Sequence, residues 1–257
     1  MAILQLLRHV ADSQLEIDPE RVCRWIVALT NQERGRHGVL PLQRLSKLDR
    51  VAAFHSANMV LMHFFAHQDP EKRGPQERLQ LIHPELLGAA GENIAMVPAE
   101  PEEQVARSLM EGWMNSPGHR HNLLASFYSH VGIGLCQSGR YVYATQSFAS
   151  LYVELLHRHL PVSLHLGETC ILRFYFFGVF DRSDLAMLLE LPHPSAMMPI
   201  GNGRYFKGAC PQNLMWESGH TFQLSVTLSC GRGSYKLRPG VASLGEYCPA
   251  ALPVEVR

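Results

Sequence analysis

Trp113-Met114-Asn115-Ser116-Pro117-Gly118-His119-Arg120-His121-Asn122-Leu123-Leu124 holds two helix boundaries within a dozen residues. A helix opened by Glu100-Pro101 runs out near Met114. Ser116 followed by Pro117 is a start signal, because serine can cap orphan amides and proline suits the first turn. A short helix carrying Gly118, His119, Arg120 and Leu123 follows. Upstream, Leu48, Val51, Ala52, His55, Met59 and Met62 recur at helical spacing and predict a helix over 46–63. Phe64-Phe65-Ala66-His67 lies just past it. Another helix is predicted over 76–87, and Gly91-Glu92-Asn93-Ile94-Ala95 reads as a loop entering a short strand or turn. Downstream, 130–136 and 140–148 alternate around a Gln-Ser-Gly turn, which predicts a β-hairpin.

The two ends differ. Asp18-Pro19 opens a first helix along Val22, Trp25, Ile26 and Leu29, stopping at Gly35 and Gly38. After Leu151 helical periodicity fades. Short strands are predicted at 162–166, 170–179, 185–191, 222–230 and 234–237, between turns rich in glycine. That spacing implies an antiparallel sandwich, for which an immunoglobulin-like arrangement is one solution.

Bulk numbers exclude several classes. The 257 residues suit one large domain or two ordinary ones. Lys+Arg and Asp+Glu both total 23, so no net field draws the chain to nucleic acid or an anionic membrane. The most apolar run, 171–180, is broken by Arg173 and Gly178 and falls short of the ~20 residues that span a bilayer. The opening MAILQLLRHV has a short apolar stretch closed by Arg8, unlike a signal peptide. The six cysteines form no CxxC pair, which argues against a zinc ribbon, and the missing signal peptide favours buried thiols over disulfides.

A family resemblance rests on an ordered series of motifs. They are Asn31-Gln32-Glu33-Arg34 with Gly38, Ala52-Ala53-Phe54-His55-Ser56-Ala57-Asn58-Met59, Phe64-Phe65-Ala66-His67, Arg78, Gly91-Glu92-Asn93-Ile94-Ala95, the Trp113–Leu124 block, Gly132-Ile133-Gly134 and Tyr143-Ala144-Thr145-Gln146-Ser147-Phe148. In this order and spacing they resemble the CAP superfamily of cysteine-rich secretory, antigen 5 and pathogenesis-related proteins (the SCP domain), in its bacterial form. The resemblance implies an α+β chain. An α-β-α three-layer sandwich over 18–150 is followed by a smaller, mainly antiparallel β domain over 151–257 that has no counterpart in the motifs.

It also implies a polar cleft built from His67, Glu92 and His119, with His67 and His119 as the metal pair. Zinc or another divalent cation would bind weakly, since two imidazoles are the only assured ligands. The family's second cleft glutamate is replaced by Ser116. The bland reading is that the three side chains tie segments together by hydrogen bonds. His63 and His67 have metal-pair spacing but no His-Glu-x-x-His, and His55 reads as a core histidine. Arg120 is expected at a helix end or beside Glu92. Ser116 reads as a cap rather than a nucleophile, and no serine sits in G-x-S-x-G. The functional expectation is a non-enzymatic binding protein for a small apolar or amphipathic molecule, a glycan or a protein. A metal-dependent protease or cell-wall hydrolase is the alternative, and a structural or adhesion protein with a vestigial cleft is the third. The resemblance implies an extracellular setting. With no signal peptide visible, the alternatives are a cytoplasmic setting or a true start that has been lost or trimmed.

Overall fold

The computed structural model describes residues 17–156 and 162–256. The N-terminal apolar stretch and His9, His157 and His159 lie outside them. Contacts divide the chain into two compact units. One runs to Ile82 and resumes over Ala90–Ser150; the other comprises His83–Ala89 and the chain from Leu151. The first unit is therefore not one contiguous stretch.

In the first unit, α1 (Pro19–Arg36) starts at Asp18, whose carboxylate accepts from the Glu20 and Arg21 amides. It is followed by β1 (Gln43–Arg44), α2 (Ser46–Leu61), α3 (Pro75–Ile82), β2 (Leu86–Pro98), α4 (Glu102–Asn115), α5 (Pro117–Leu124), β3 (His130–Ser138) and β4 (Tyr141–Leu155). β3 and β4 pair antiparallel from His130↔Ala149 to Ser138↔Tyr141, β1 pairs parallel with β3, and β2 pairs with β4.

Alternation on β3 creates the three layers. Val131, Ile133 and Leu135 face one cluster with Ile26 of α1 and Leu109 and Trp113 of α4. Gly132 and Gly134 face α2. A Cβ on Gly134 would lie 2.0 Å from the Ala53 nitrogen, and one on Gly132 2.1 Å from the Leu48 carbonyl carbon. The bare strand is what lets the helix backbone descend onto the sheet. Arg34, fully buried, fixes the end of α1 by donating to the carbonyls of Leu40, Leu123, Ala125 and Tyr128.

Three local expectations change. The helix predicted over 76–87 stops at Ile82, because the residue before Pro84 is driven out of the helical region. The Gly91–Ala95 segment is not a loop but the middle of β2, a 13-residue strand. The hairpin's second strand continues to Leu155.

The second unit is the expected antiparallel β region. The end of β4 pairs with β6 (Thr169–Phe176), β6 with β12 (Thr221–Thr227), and β12 with β11 (Met215–Trp216). A second sheet has the order β10 (Ala209–Pro211), β7 (Leu185–Glu190), β13 (Gly233–Val241), β15 (Leu252–Val256), β5 (Val162–Leu164). A separate hairpin joins β8 (Met197–Gly201) to β9 (Arg204–Lys207), and β14 (Glu246–Tyr247) pairs with β13. Leu172, Phe174, Phe222, Leu224, Leu189, Leu237 and Val254 meet in one apolar core. Tyr235, buried at the start of β13, donates its hydroxyl to the Gly231 carbonyl and accepts from the Cys230 amide. This clamp resembles the tyrosine corner of β-sandwiches. All six cysteines are free thiols.

Candidate functional site

α2, β2 and α5 each contribute to one polar cluster. Glu92, on β2, is buried and both its oxygens are engaged. Oε1 accepts from His67 Nδ1 at 3.0 Å and Oε2 accepts from Arg78 Nη2 at 2.6 Å. Arg78 is fully buried and its other terminal nitrogen donates to the carbonyls of His67 (3.0 Å) and Arg73 (2.6 Å). One guanidinium thus holds both the carboxylate and the backbone of the histidine beside it. Burial alone would raise the Glu92 pKa. The hydrogen bond from His67 and the Arg78 charge outweigh it and hold the carboxyl below its ordinary range.

His55 supports the same loop from below. Its Nε2 donates to the Ala66 carbonyl at 3.0 Å and stands 3.6 Å from Glu92 Oε1. Burial lowers its pKa to about 4, so it is neutral at pH 7. Its Nδ1 is buried without a partner, as is Arg78 Nε.

His67 and His119 face open space. With Nδ1–H directed to Glu92, the His67 Nε2 lone pair is free for a ligand. The ring centres of His67 and His119 lie 6.1 Å apart, tilted by 56°. Burial, and then the neighbouring His67, lower the His119 pKa, which favours its neutral ligating form. Both rings line a cavity of about 390 Å³ with Pro75, Gly91, Glu92, Ser116, Gly118 and Asn122. Asn122 Nδ2 donates to the Glu92 carbonyl and to Asn93 Oδ1, and Asn93 Nδ2 donates to the His119 carbonyl. This lattice fixes α5 against β2. Gly91 is required beside it, since a Cβ there would meet the Tyr128 hydroxyl oxygen at 2.0 Å.

The donor set fits a divalent ion loosely. Two imidazoles on one tetrahedral ion bring their ring centres to roughly 5 Å, a small adjustment from the spacing present. Glu92 is already engaged by Arg78 and His67, so beside a bound ion it would orient His67 rather than serve as a third ligand. Among the described residues no group of three His, Cys, Asp or Glu side chains is arranged to hold a metal.

Other expectations sort as follows. His63 is exposed and adopts φ 54° past the end of α2, so His63 and His67 do not share a helix face. Arg120 contacts His37 Nε2 (3.0 Å) rather than Glu92, whose partner is Arg78. Ser116 occupies the cap position of α5 without making a side-chain cap bond, and the residue lines the cavity. Burial pushes the thiols of Cys23 and Cys136 up to about 12 and about 11, which leaves them poor nucleophiles. The sequence reading missed Asn93 and Asn122 as braces and left Arg78 without a role. The signal for Arg78 was a charged residue beside Leu79 in a short helix where both are buried.

Residues 27–149 match the sequence model of the CAP (cysteine-rich secretory protein) family. Over 114 residues the chain is 38% identical to the uncharacterized protein YkwD of Bacillus subtilis, covering 44% of this chain and 42% of that one. Over 123 residues it is 36% identical to the uncharacterized membrane protein YlbC of the same organism, covering 48% and 33%. The chain thus spans well under half the length of both relatives. Among solved structures, an extracellular SCP-domain protein of Bacillus anthracis aligns at 32% identity with a TM-score of 0.43, over 51% of this chain and 41% of that one. An outer surface protein of Borrelia burgdorferi aligns at 15% identity with a TM-score of 0.47, over 52% and 96%. The chain carries a CAP domain of the bacterial type, and the C-terminal β region lies outside the matched residues. Among the described residues no helix is long and apolar enough to cross a membrane.

Proposed function

With residues 27–149 taken as a CAP domain, we propose that the chain is a non-enzymatic binding protein whose cleft takes a divalent cation reversibly on His67 and His119. A small molecule, a glycan or a protein group completes the open coordination positions. The observation that carries this reading is the double engagement of Glu92 by Arg78 and His67. A hydrolytic zinc site needs about three protein ligands and a base for the water. Glu92 is the carboxylate in the cavity wall, and a carboxylate held by a guanidinium with a lowered pKa is a weak base. What remains is an oriented imidazole and a second imidazole around a small cavity that Ser116 also lines, which suits recognition.

Calorimetric titration with Zn²⁺ tests the reading. Weak binding is expected that weakens further as pH falls through the histidine range, because protonated imidazole cannot ligate. The heat should vanish in His67→Ala/His119→Ala. Undiminished heat in that variant removes both as ligands. Zn²⁺-dependent turnover on peptides or cell-wall fragments, lost in Glu92→Gln with folding retained, moves the chain to the hydrolases.

A further inference from the structure

The second unit gathers sulfur around a cavity of about 550 Å³. Cys210 on β10, 1% exposed, donates its thiol hydrogen to Met198 Sδ of β8 across 3.1 Å. Met215 of β11 lines the same cavity. Gln212 Nε2 donates to Cys210 Sγ at 3.0 Å, a bond that strengthens when sulfur carries negative charge. Cys230 stands close by, its thiol reaching the Met197 carbonyl at 3.5 Å. The remaining wall is apolar or neutral, including Ile200, Phe206 and Ser225, and contributes no carboxylate, imidazole or ammonium group.

We propose that Cys210, Met198 and Met215 form a binding site for a soft monovalent metal ion, Cu(I), with Gln212 as the outer-shell donor to the thiolate. Thiolate and thioether are the ligands that select Cu(I), while a wall without carboxylate or imidazole donors offers little to Zn²⁺ or Mg²⁺. The direct sulfur–sulfur contact puts two soft donors side by side, and the exposed Met215 lines the same cavity. Binding releases one proton, the Cys210 thiol hydrogen, to solvent. The ion enters and stays as Cu(I), so no electron is transferred. The thiolate, not the thiol, is the ligand, so affinity should climb with pH as proton competition falls.

The test uses the full chain, reduced and anaerobic, with Ag(I) as a redox-inert probe. The methyl groups of the ten methionines are carbon-13 labelled and followed by NMR. The first equivalent should shift the Met198 and Met215 methyls and leave buried Met59 unmoved. Cys210→Ser should abolish those shifts, whereas Cys23→Ser should preserve them. Gln212→Leu removes no ligand and should lower Cu(I) affinity roughly tenfold against a chromophoric chelator. Met198 and Met215 methyls that stay in place, or that shift equally in Cys210→Ser, overturn the proposal. If Cys210→Ser does not fold, Met198→Leu/Met215→Leu decides: unchanged Cu(I) affinity in that volume-preserving variant also overturns it.

Discussion

The two units bury different chemistry. Apart from His83, every buried polar or charged side chain among the described residues lies in the first unit, including Arg34, His55, Arg78, Glu92, Asn93 and Gln146. The core of the second is built from aliphatic, aromatic and sulfur side chains, with the Tyr235 hydroxyl as a polar atom bonded to backbone. Buried charge is costly to desolvate and stays only when each atom finds a partner. A unit that keeps so much of it has its stability tied to its site. A unit that buries apolar surface alone loses stability in small increments.

The largest expected effect follows from that contrast. Arg78→Met leaves the buried Glu92 carboxylate without its ion pair and should cost about 3–5 kcal/mol in denaturant unfolding. The double variant Arg78→Met/Glu92→Met should recover much of the loss, because no orphaned charge remains. Equal destabilisation in the single and double variants would mean that packing, not charge, is what Arg78 supplies.

Acid lability comes next. The unfolded His55 titrates at the ordinary value of 6.5 and the folded one at about 4. As pH falls the unfolded chain takes up the proton first. Stability is therefore full above pH 6.5 and declines between 6.5 and 4, by on the order of 3 kcal/mol. Glu92, whose folded pKa is depressed, contributes in a lower window, below its ordinary 4.5. His55→Gln, which retains a donor for Ala66, should flatten the decline between 6.5 and 4. An unchanged slope in that variant would assign the lability to another group.

The smallest effect belongs to the apolar unit. Tyr235→Phe removes two hydrogen bonds to the Cys230–Gly231 turn and should cost about 1–2 kcal/mol, with no change in Zn²⁺ binding. A loss of Zn²⁺ affinity in Tyr235→Phe would break the separation between the units' roles.

The same contrast explains what the sequence disclosed. In the first unit, polar and glycine residues are dictated by contacts: Gly91 by Tyr128, Gly132 and Gly134 by α2, Asn122 by the backbone of Glu92. Such residues stand out as motifs, so the layered fold and the grouping of His67, Glu92 and His119 could be read before the structure. Their partners were harder to see. Arg78 reaches Glu92 across 14 residues and His55 reaches Ala66 across 11, pairings that no periodicity encodes. β2 was misread at its centre because Gly91, Glu92 and Asn93 are poor strand formers held extended by tertiary contacts. In the second unit alternation marked the long strands β6, β7, β12 and β13. The two- to five-residue strands β8, β9, β10, β11, β14 and β15 carry too few alternating positions to register.

The central claim is that Glu92 orients His67, leaving its outer nitrogen to bind ligand beside His119. Long-range hydrogen–nitrogen NMR of the histidine side chains near pH 7 tests it directly. His67 should be the Nδ1–H tautomer in the free protein, and Zn²⁺ should shift the unprotonated nitrogens of His67 and His119 while leaving His55 unmoved. An Nε2–H tautomer at His67, or Zn²⁺ shifts that bypass both rings, would contradict the account.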